Sequence, residues 1–320
     1  MYHIIVNPAS GKRDAHIPLK HLRDMFDGAG IEYDLLPSSS QDETYACALT
    51  AFERKSCGIV CIGGDGTVQE VVSGLVRCYR NEPEIGIPVA VLPCGSGDDL
   101  VRTLEGGKAG ALRKYGKLDY TKSAKAVFDA VAGGRTRRID VIKASGNLAF
   151  LNIANIGIDA KIVYNAPPYK RFLERFKFPG NYAYLAATFE TILRHENVYL
   201  ELVADGQSFF GDYTLVAICN GQYYGGGMHI APQASMDDGL ITLCLVEAMS
   251  RPKTMAIFPS LLIGWHTRLR EVSFMQCRKL SIKIQDPQWL CLDGNLYDKH
   301  SETIDFEVLP GALRVFDNHF

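Results

Sequence analysis

The amino-acid sequence predicts an α/β N-terminal domain with a parallel sheet, followed by a C-terminal antiparallel β-sandwich domain. Strand-like and helix-like segments alternate strictly through the first part of the chain. After about residue 135, short strand-like runs joined by turns dominate instead. A length of 320 residues also favours two domains over one small core.

In the first domain, apolar strand-like runs are separated by segments with helical spacing. The predicted strands are "YHIIVN" (2–7), "IEYDLL" (31–36), "GIVCIGG" (58–64) and "IPVAVLP" (87–93). The predicted helices are "HIPLKHLRDMFDGAG" (16–30), "DETYACALTAFERK" (42–55) and "TVQEVVSGLVRCYR" (67–80). Because ligands of such parallel sheets bind beyond the carboxyl ends of the strands, we expect function in the loops at those ends.

In the second domain, eight strand-like runs occur between residues 137 and 310, with helical stretches only near 170–195 and 251–266. We place the nucleotide-binding domain at 1–134 and the β-sandwich at 135–306. The closing segment 307–320 contains the apolar run "ALRVF", and we expect it to return to the first domain.

Composition excludes several classes of protein. A net charge of -2 with 22% charged residues gives no basic excess for binding nucleic acid. The nine scattered cysteines favour reduced thiols in a cytosolic protein over a disulfide framework. No run is apolar and long enough to span a bilayer, so we expect a cytoplasmic protein that meets membranes only peripherally.

Three loops at strand ends are rich in small residues: "NPASGK", "GGDGT" and "PCGSGDD". Glycine and small hydroxyl residues let backbone N–H groups approach phosphate oxygens. Asp65 is the group in "GGDGT" that could hold a divalent cation. A plain strand-to-helix turn with Thr67 as N-cap is the simpler alternative, but the repetition at the next strand favours a phosphate site. The spacing matches neither a Walker A loop nor the GxGxxG fingerprint.

Taken in order, these motifs resemble the diacylglycerol kinase catalytic-domain superfamily, in its bacterial soluble lipid kinase branch, related to sphingosine kinases. The resemblance runs nearly end to end. It rests on "NPASGK" (7–12), "GGDGT" (63–67), "PCGSGDDLVR" (93–102), "NIGIDA" (155–160), "CNGQYYGGGMHIAPQASMDDG" (219–239) and "LDGN" (292–295). It implies an NAD kinase-like or diacylglycerol kinase-like first domain, with ATP and Mg²⁺ in the cleft and phosphoryl transfer to a lipid hydroxyl.

The resemblance also implies residue roles. Asp65 and Asp237 correspond to acids of the metal network, and Asp238 is either its partner or a turn residue. The catalytic group comprises Asp65, Asp237, Asp293 and Asn295. The implied nucleotide contacts are Asn7, Ser10, Thr44, Gly64, Gly66, Thr67, Gly95, Ser96, Gly97 and Asp98.

The sequence departs from the family pattern twice. Asp98 stands where the family has Asn, which adds a negative charge beside the phosphates and should weaken ATP binding. Asn295 stands where the family has the Glu taken as base, and an amide cannot accept a proton at neutral pH. Three ways to proceed without that Glu stay open. Asp293 or Asp298 could supply a carboxylate from the same loop, the acceptor could be a group more acidic than a lipid hydroxyl, or transfer could be slow without a base.

A basic, aromatic segment, "YKRFLERFKFPGNYAYL", suits the surface of an anionic bilayer, although an ordinary amphipathic helix is the simpler alternative. We expect its membrane contacts to be Lys170, Arg171, Phe172, Arg175 and Phe176. The predicted function is an ATP-dependent lipid kinase with diacylglycerol or a similar lipid as acceptor. The alternatives are a catalytically impaired nucleotide- or lipid-binding protein and an NAD kinase-like enzyme. Monomer and homodimer both stay open.

Overall fold

The computed structural model describes residues 1–8, 10, 14–79, 84–95, 97–106, 113–114, 117–175, 181–300 and 303–317. The strands are β1 (Tyr2–Val6), β2 (Tyr33–Pro37), β3 (Ile59–Gly63), β4 (Ile85–Pro93), β5 (Arg113–Lys114), β6 (Lys117–Leu118), β7 (Thr136–Ala144), β8 (Leu148–Phe150), β9 (Ile153–Gly157), β10 (Val198–Ala204), β11 (Gln207–Cys219), β12 (Tyr223–Tyr224), β13 (Met228–His229), β14 (Ile241–Glu247), β15 (Val272–Cys277), β16 (Lys279–Ile284), β17 (Gln288–Leu292), β18 (Asn295–His300) and β19 (Thr303–Phe316). The α-helices are α1 (His16–Gly28), α2 (Gln41–Glu53), α3 (Asp65–Cys78), α4 (Asp99–Leu104), α5 (Tyr120–Gly133), α6 (Ile158–Arg175), α7 (Asn181–Arg194) and α8 (Arg251–Ile257).

The N-terminal sheet has the order β2-β1-β3-β4, and all its pairs are parallel. Its strands read as nearly continuous apolar runs because helices cover both faces. One face packs against α2 and α3, and the other against α1 and α5. The α/β fold that the alternation predicts is confirmed, and the carboxyl ends of β1, β3 and β4 lie at one edge.

The C-terminal domain is an antiparallel sandwich, as predicted. One path of strands runs β18-β17-β9-β11-β10-β16-β19, and β14 pairs with β11 and β15. Apolar side chains from these strands form one core, which includes Phe150 and Phe306 in an edge-to-face contact. A second core lies between the outer sheet face and the α6, α7 and α8 segments.

The long strand β19 joins the two domains. Its first part pairs with β16, and Leu313 and Val315 pair in parallel with β4 of the N-terminal sheet. A register shift separates the two parts, where the buried Asp140 carboxylate accepts N–H groups of Gly239 and Gly311, each at 2.7 Å. The closing segment therefore lies beside the first domain's sheet, while the sequence-based boundary at 134–135 falls between α5 and β7.

Several elements differ from the sequence-based prediction. The helical stretch expected near 251–266 is α8 followed by two short 3₁₀ segments, Phe258–Ile263 and Trp265–Arg268. The run "LAFLNIANIGI" forms two strands, β8 and β9, because a turn at Leu151 and Asn152 interrupts it. The helix expected near 170–195 is two helices, and the first begins at Ile158 with Pro167 and Pro168 inside it. No helix within the described part of the chain is both long enough and apolar enough to cross a bilayer.

Candidate active site

The glycine loops after β3 and β4 pack backbone against backbone. A Cβ at Gly95 would lie 2.7 Å from the Gly64 Cα, and one at Gly64 would lie 3.1 Å from the Gly95 Cα. The Cys94 N–H also donates to the Gly63 carbonyl at 3.0 Å. Only glycine allows this approach, so the two loops form one continuous backbone surface.

The loop after β1 joins this surface through Thr67. The Asn7 Nδ2 lies 3.4 Å from the Thr67 hydroxyl, and the Ser10 hydroxyl lies 3.5 Å from it. Thr67 is not the N-cap of α3, because that helix begins at Asp65 and its N-cap is Gly64. The structure therefore brings together Asn7, Ser10, Gly64, Gly66, Thr67, Gly95 and Gly97 from the predicted nucleotide site. Ser96 lies outside the described residues.

Asp65 connects the start of α3 to the start of α4. Its carboxylate accepts the backbone N–H groups of Asp99 at 3.1 Å and Leu100 at 3.0 Å. Burial and the charges of Asp99 and Asp98 raise the pKa of Asp65 well above its ordinary value. The charges of Asp99 and Asp98 thus oppose ionisation of Asp65, and a cation would relieve that repulsion.

The backbone conformation of Asp98 explains why an Asp can occupy this position. Its φ is 51°, in the left-handed region that Asp and Asn adopt more readily than other residues with side chains. Its Oδ1 accepts the Gly95 N–H at 2.7 Å and so closes the loop. An Asn has the same acceptor oxygen, so the hydrogen bond is common to both residues and the added charge is the difference.

Sequence reasoning missed Asp99 and Arg102. The Asp99 carboxylate accepts the Gly226 N–H at 2.6 Å and lies 3.4 Å from the Arg102 Nε. Arg102 in turn lies against Gly227, where a Cβ would be 3.1 Å from the guanidinium carbon. These contacts join α4 to the glycine turn of the second domain. The run "PCGSGDDLVR" contains both residues, but their partners lie more than 100 positions away.

Asn295, the first residue of β18, contacts the N-terminal part of α3. Its Nδ2 is 3.0 Å from the Gly66 carbonyl oxygen, 2.8 Å from Gln69 Oε1 and 3.2 Å from Glu70 Oε1. Tyr297 also donates to Gln69 Oε1 at 3.0 Å. Burial raises the pKa of Glu70, while hydrogen bonds from Thr44 and Asn295 partly offset this rise. A carboxylate thus lies beside the amide.

Two of the predicted site residues, Thr44 and Asp293, are buried. Thr44 is 1% exposed, its hydroxyl lies 3.1 Å from the Ser38 hydroxyl and 3.0 Å from the Ser40 carbonyl oxygen, and it also lowers the pKa of Glu70 by hydrogen bonding. Asp293 is also buried, and its carboxylate accepts the N–H groups of Leu151 at 2.8 Å, Asn152 at 3.0 Å and Ile153 at 2.8 Å. It holds the turn between β8 and β9 and does not face a substrate.

Asp237 is also placed differently from the prediction. It is exposed and accepts the Ser235 hydroxyl at 2.5 Å. Burial raises the pKa of Asp140, and the charges of Asp238 and Asp237 add to this rise. The charges that act on Asp65 come from Asp98 and Asp99 instead. Asp238 accepts the Leu240 N–H at 2.9 Å, in keeping with the turn alternative. The carboxylate next to Asp65 in the structure is therefore Asp99, while a metal role for Asp237 stays a prediction.

The predicted membrane contacts are described only in part. Phe172 on α6 is 62% exposed. The side chains of Lys170, Arg171 and Arg175, and the whole of Phe176, lie outside the described residues.

Comparison with known proteins covers nearly the whole chain. Residues 1–144 match the diacylglycerol kinase catalytic domain, and residues 152–317 match the YegS C-terminal NAD kinase beta sandwich-like domain. A diacylglycerol kinase of Bacillus subtilis is 27% identical over 91% of this chain and 88% of its own. One of Mycobacterium tuberculosis is 26% identical over 97% of this chain and 93% of its own.

Solved structures show the same fold. The crystal structure of a diacylglycerol kinase from Bacillus anthracis superimposes with a TM-score of 0.71 at 22% identity, covering 99% of this chain and 97% of that one. With both domains matched in order, the chain belongs to the diacylglycerol kinase catalytic-domain superfamily.

Proposed function

We propose that this protein transfers the γ-phosphate of ATP to the hydroxyl of diacylglycerol or a similar neutral lipid. An ATP-dependent lipid kinase is the activity that the family and its named relatives support. The observation that carries the assignment to this site is the glycine surface of Gly64 and Gly95, lying directly beside Asp65 and Asp99. Phosphoryl transfer needs mainly positioning and neutralisation of charge, and this arrangement offers both.

Mg²⁺ fits the residues present. A Cβ at Gly97 would lie 3.1 Å from Asp99 Oδ2 and 3.2 Å from Asp65 Oδ2, so the two carboxylates flank a position that only glycine leaves open. Among the described residues no three His, Cys, Asp or Glu side chains form a complete metal site. Mg²⁺ is usually held by one or two carboxylates together with substrate phosphates, and when bound it neutralises phosphate charge. Asp65 and Asp99 would hold it.

A small apolar pocket in the second domain is the candidate for contact with an acyl chain. Its lining is mostly apolar and includes Ile158, Leu215, Phe258 and Leu261. Asp159 is one of its polar residues, and its carboxylate accepts the Tyr224 hydroxyl. Burial raises the pKa of Asp159 to about 6. An apolar pocket with a few polar groups suits a lipid with a polar head.

A lipid acceptor also requires contact with a membrane, and residues 251–270 have the properties for it. This segment, which we name the wedge, contains four Lys or Arg residues and no acid. Leu262, Ile263 and Trp265 at its centre are each about 60% exposed, and Arg268 lies 5.9 Å above the Trp265 ring. Apolar and Trp residues flanked by cations suit an anionic bilayer surface. We propose that the wedge contacts the membrane, together with Phe172 and its predicted basic neighbours.

Vesicle co-sedimentation tests this contact. Replacing Leu262 and Ile263 by Ser should weaken binding to anionic vesicles by about tenfold per residue, since each loses roughly 1.4 kcal/mol of apolar burial. Phe210→Ser is the matched control, because Phe210 is 75% exposed on β11 but lies outside the wedge. Equal binding of the wedge and control variants would refute the contact.

The first experiment on activity is a radiolabelled ATP-Mg²⁺ assay against vesicles containing diacylglycerol, monoacylglycerol, ceramide, sphingosine and phosphatidylglycerol. Asp65→Ala should abolish the labelled lipid, whereas Asp24→Ala, on the exposed face of α1, should not change it. Labelled lipid that persists in Asp65→Ala would refute the assignment of the site. No labelled lipid from the wild-type protein would favour the impaired-protein alternative. Label transferred to NAD, in a parallel reaction that contains NAD in place of the vesicles, would favour the NAD kinase-like alternative.

A further inference from the structure

Most carboxylates near the glycine loops are held by backbone groups. Asp65 accepts the N–H groups of Asp99 and Leu100, and Asp98 accepts that of Gly95. Asp99 accepts the Gly226 N–H. Glu70 differs from all of them, because its contacts are the side chains of Asn295 and Thr44. It is also only partly buried.

The surroundings of Asn295 favour an amide over a carboxylate while Glu70 is present. The three atoms within 3.2 Å of its Nδ2 are acceptors: the Gly66 carbonyl, Gln69 Oε1 and Glu70 Oε1. Gln69 is fixed in this orientation because its Nε2 donates to the Ala149 carbonyl at 2.7 Å. A carboxylate in place of the amide would face three acceptors, one of them charged. The position next to α3 therefore carries one carboxylate, on Glu70, and one amide, on Asn295.

Glu70 is also placed toward the glycine surface. Gly66 and Glu70 are four residues apart on α3 and so lie on the same face, about 6 Å apart along the axis. The Asn295 Nδ2 lies 3.2 Å from Glu70 Oε1 and 3.0 Å from the Gly66 carbonyl oxygen, so one amide group links the Glu70 carboxylate to the turn that contains Gly66. An acceptor hydroxyl approaching phosphate on the glycine surface would come within reach of it.

We propose that Glu70 is the general base of the transfer reaction and that Asn295 positions it by hydrogen bonding. The proposal rests on the proposed function. The Glu70 carboxylate takes the proton from the lipid hydroxyl as the hydroxyl oxygen forms a bond to the γ-phosphorus. The bond between the γ-phosphorus and the β,γ-bridging oxygen breaks, and ADP leaves with its electron pair. The proton on Glu70 then passes to solvent.

The electrostatic setting agrees with this role. Burial raises the pKa of Glu70, which makes it a stronger base than an exposed glutamate. The Thr44 hydroxyl and the Asn295 amide lower the pKa of Glu70 by hydrogen bonding. Burial and, to a smaller extent, the charge of Glu70 raise the pKa of the Cys61 thiol on β3. The described neighbours therefore place no cation against Glu70 that would return its pKa to the ordinary value.

A swap of the two side chains tests the proposal. We would compare wild type, Glu70→Gln, Asn295→Glu and the double variant Glu70→Gln/Asn295→Glu, with Glu53→Gln at the exposed end of α2 as a matched control. The measurements are kcat for phosphorylated lipid, KM for ATP, and thermal unfolding of each variant. Asp65→Ala sets the background.

Glu70→Gln should lower kcat by about 10² to 10⁴ with KM for ATP within threefold, which is the contribution of a general base. The double variant should regain at least tenfold over Glu70→Gln, because it returns a carboxylate to the pair. Asn295→Glu alone should be no faster than wild type, since two carboxylates then face each other. A Glu70→Gln enzyme within threefold of wild-type kcat would overturn the proposal.

Other outcomes are also decisive. A rise in KM for ATP with unchanged kcat would make Glu70 a nucleotide contact and overturn its role as base. If Glu70→Gln unfolds, the double variant decides, because its folded but inactive form would equally overturn the proposal. A wild-type protein that makes no phosphorylated lipid would refute the proposed function itself. An active wild-type enzyme whose Glu70→Gln variant is equally active would refute only the role of Glu70.

Discussion

Asp293→Ala distinguishes a residue that holds the backbone from one that acts on substrate. The Asp293 carboxylate accepts three buried N–H groups, those of Leu151, Asn152 and Ile153. Leaving a buried donor unsatisfied costs about 1–3 kcal/mol, so the variant should lose roughly 3–9 kcal/mol of unfolding free energy. Even the lower value is a large share of a typical stability of about 5–15 kcal/mol. It corresponds to a fall in Tm of about 6 °C or more.

Thermal unfolding followed by far-UV circular dichroism measures this loss. Asp293→Asn should lose less than Asp293→Ala, because its one carbonyl oxygen still accepts N–H groups while its NH₂ faces another donor. Asp298→Ala is the matched control, because Asp298 lies five residues further on, in β18, and is exposed; it should leave Tm unchanged. If Asp293→Ala kept the wild-type Tm and lost only kcat, the backbone role would be wrong and a catalytic one restored.

Three further predictions concern charge and the lipid pocket. Asp98→Asn keeps the acceptor for the Gly95 N–H and removes one charge, so KM for ATP should fall at least about fivefold, the effect of roughly 1 kcal/mol, which is the repulsion of two unit charges about 4 Å apart in bulk water; an unchanged KM would refute this. Leu261→Trp should fill the apolar pocket and raise KM for long-chain diacylglycerol but not for ATP, and an equal effect on short-chain lipid would contradict the pocket assignment. Burial raises the pKa of Asp159 from 3.8 to about 6, so the folded state favours its protonated form. The stability it contributes is full below pH 3.8 and is lost as pH rises through about 6, so Asp159→Asn should flatten the pH dependence of Tm in this window; the same slope as wild type would refute it.

Much of the fold follows from local patterns in the sequence. The alternation of apolar strands and helices predicts the parallel sheet, and turn-rich runs predict the sandwich. The start of α6 at Ile158 could not be predicted, because Pro167 and Pro168 argue locally against a helix that tertiary packing sustains. Equally, β8 and β9 separate because Asp293, some 140 residues away, holds the turn between them.

The site divides in the same way. Glycine loops at the ends of neighbouring parallel strands could be predicted to meet, and Gly64 and Gly95 do. The directions of acidic side chains could not be predicted, so Asp237 and Asp293 received roles that their surroundings do not support. Asp99, Arg102 and Glu70 were missed because their roles depend on Gly226, Gly227 and Asn295, which only the folded chain brings near.

The two departures from the family pattern bear on whether catalysis has been lost. Asp98 keeps the acceptor oxygen that closes the glycine loop through the Gly95 N–H, so the first departure leaves the hydrogen bond of that loop intact. An amide that merely replaced a base would leave nearby acceptors unmatched, yet Asn295 is the donor for Gln69 and for the carboxylate of Glu70. Because Tyr297 donates to the same Gln69 oxygen and Gln41 donates to Tyr297 at 2.8 Å, a hydrogen-bonded network extends this arrangement to α2. A site that keeps a carboxylate beside its glycine surface and fixes it through such a network has the properties of a working kinase more than those of a binding protein.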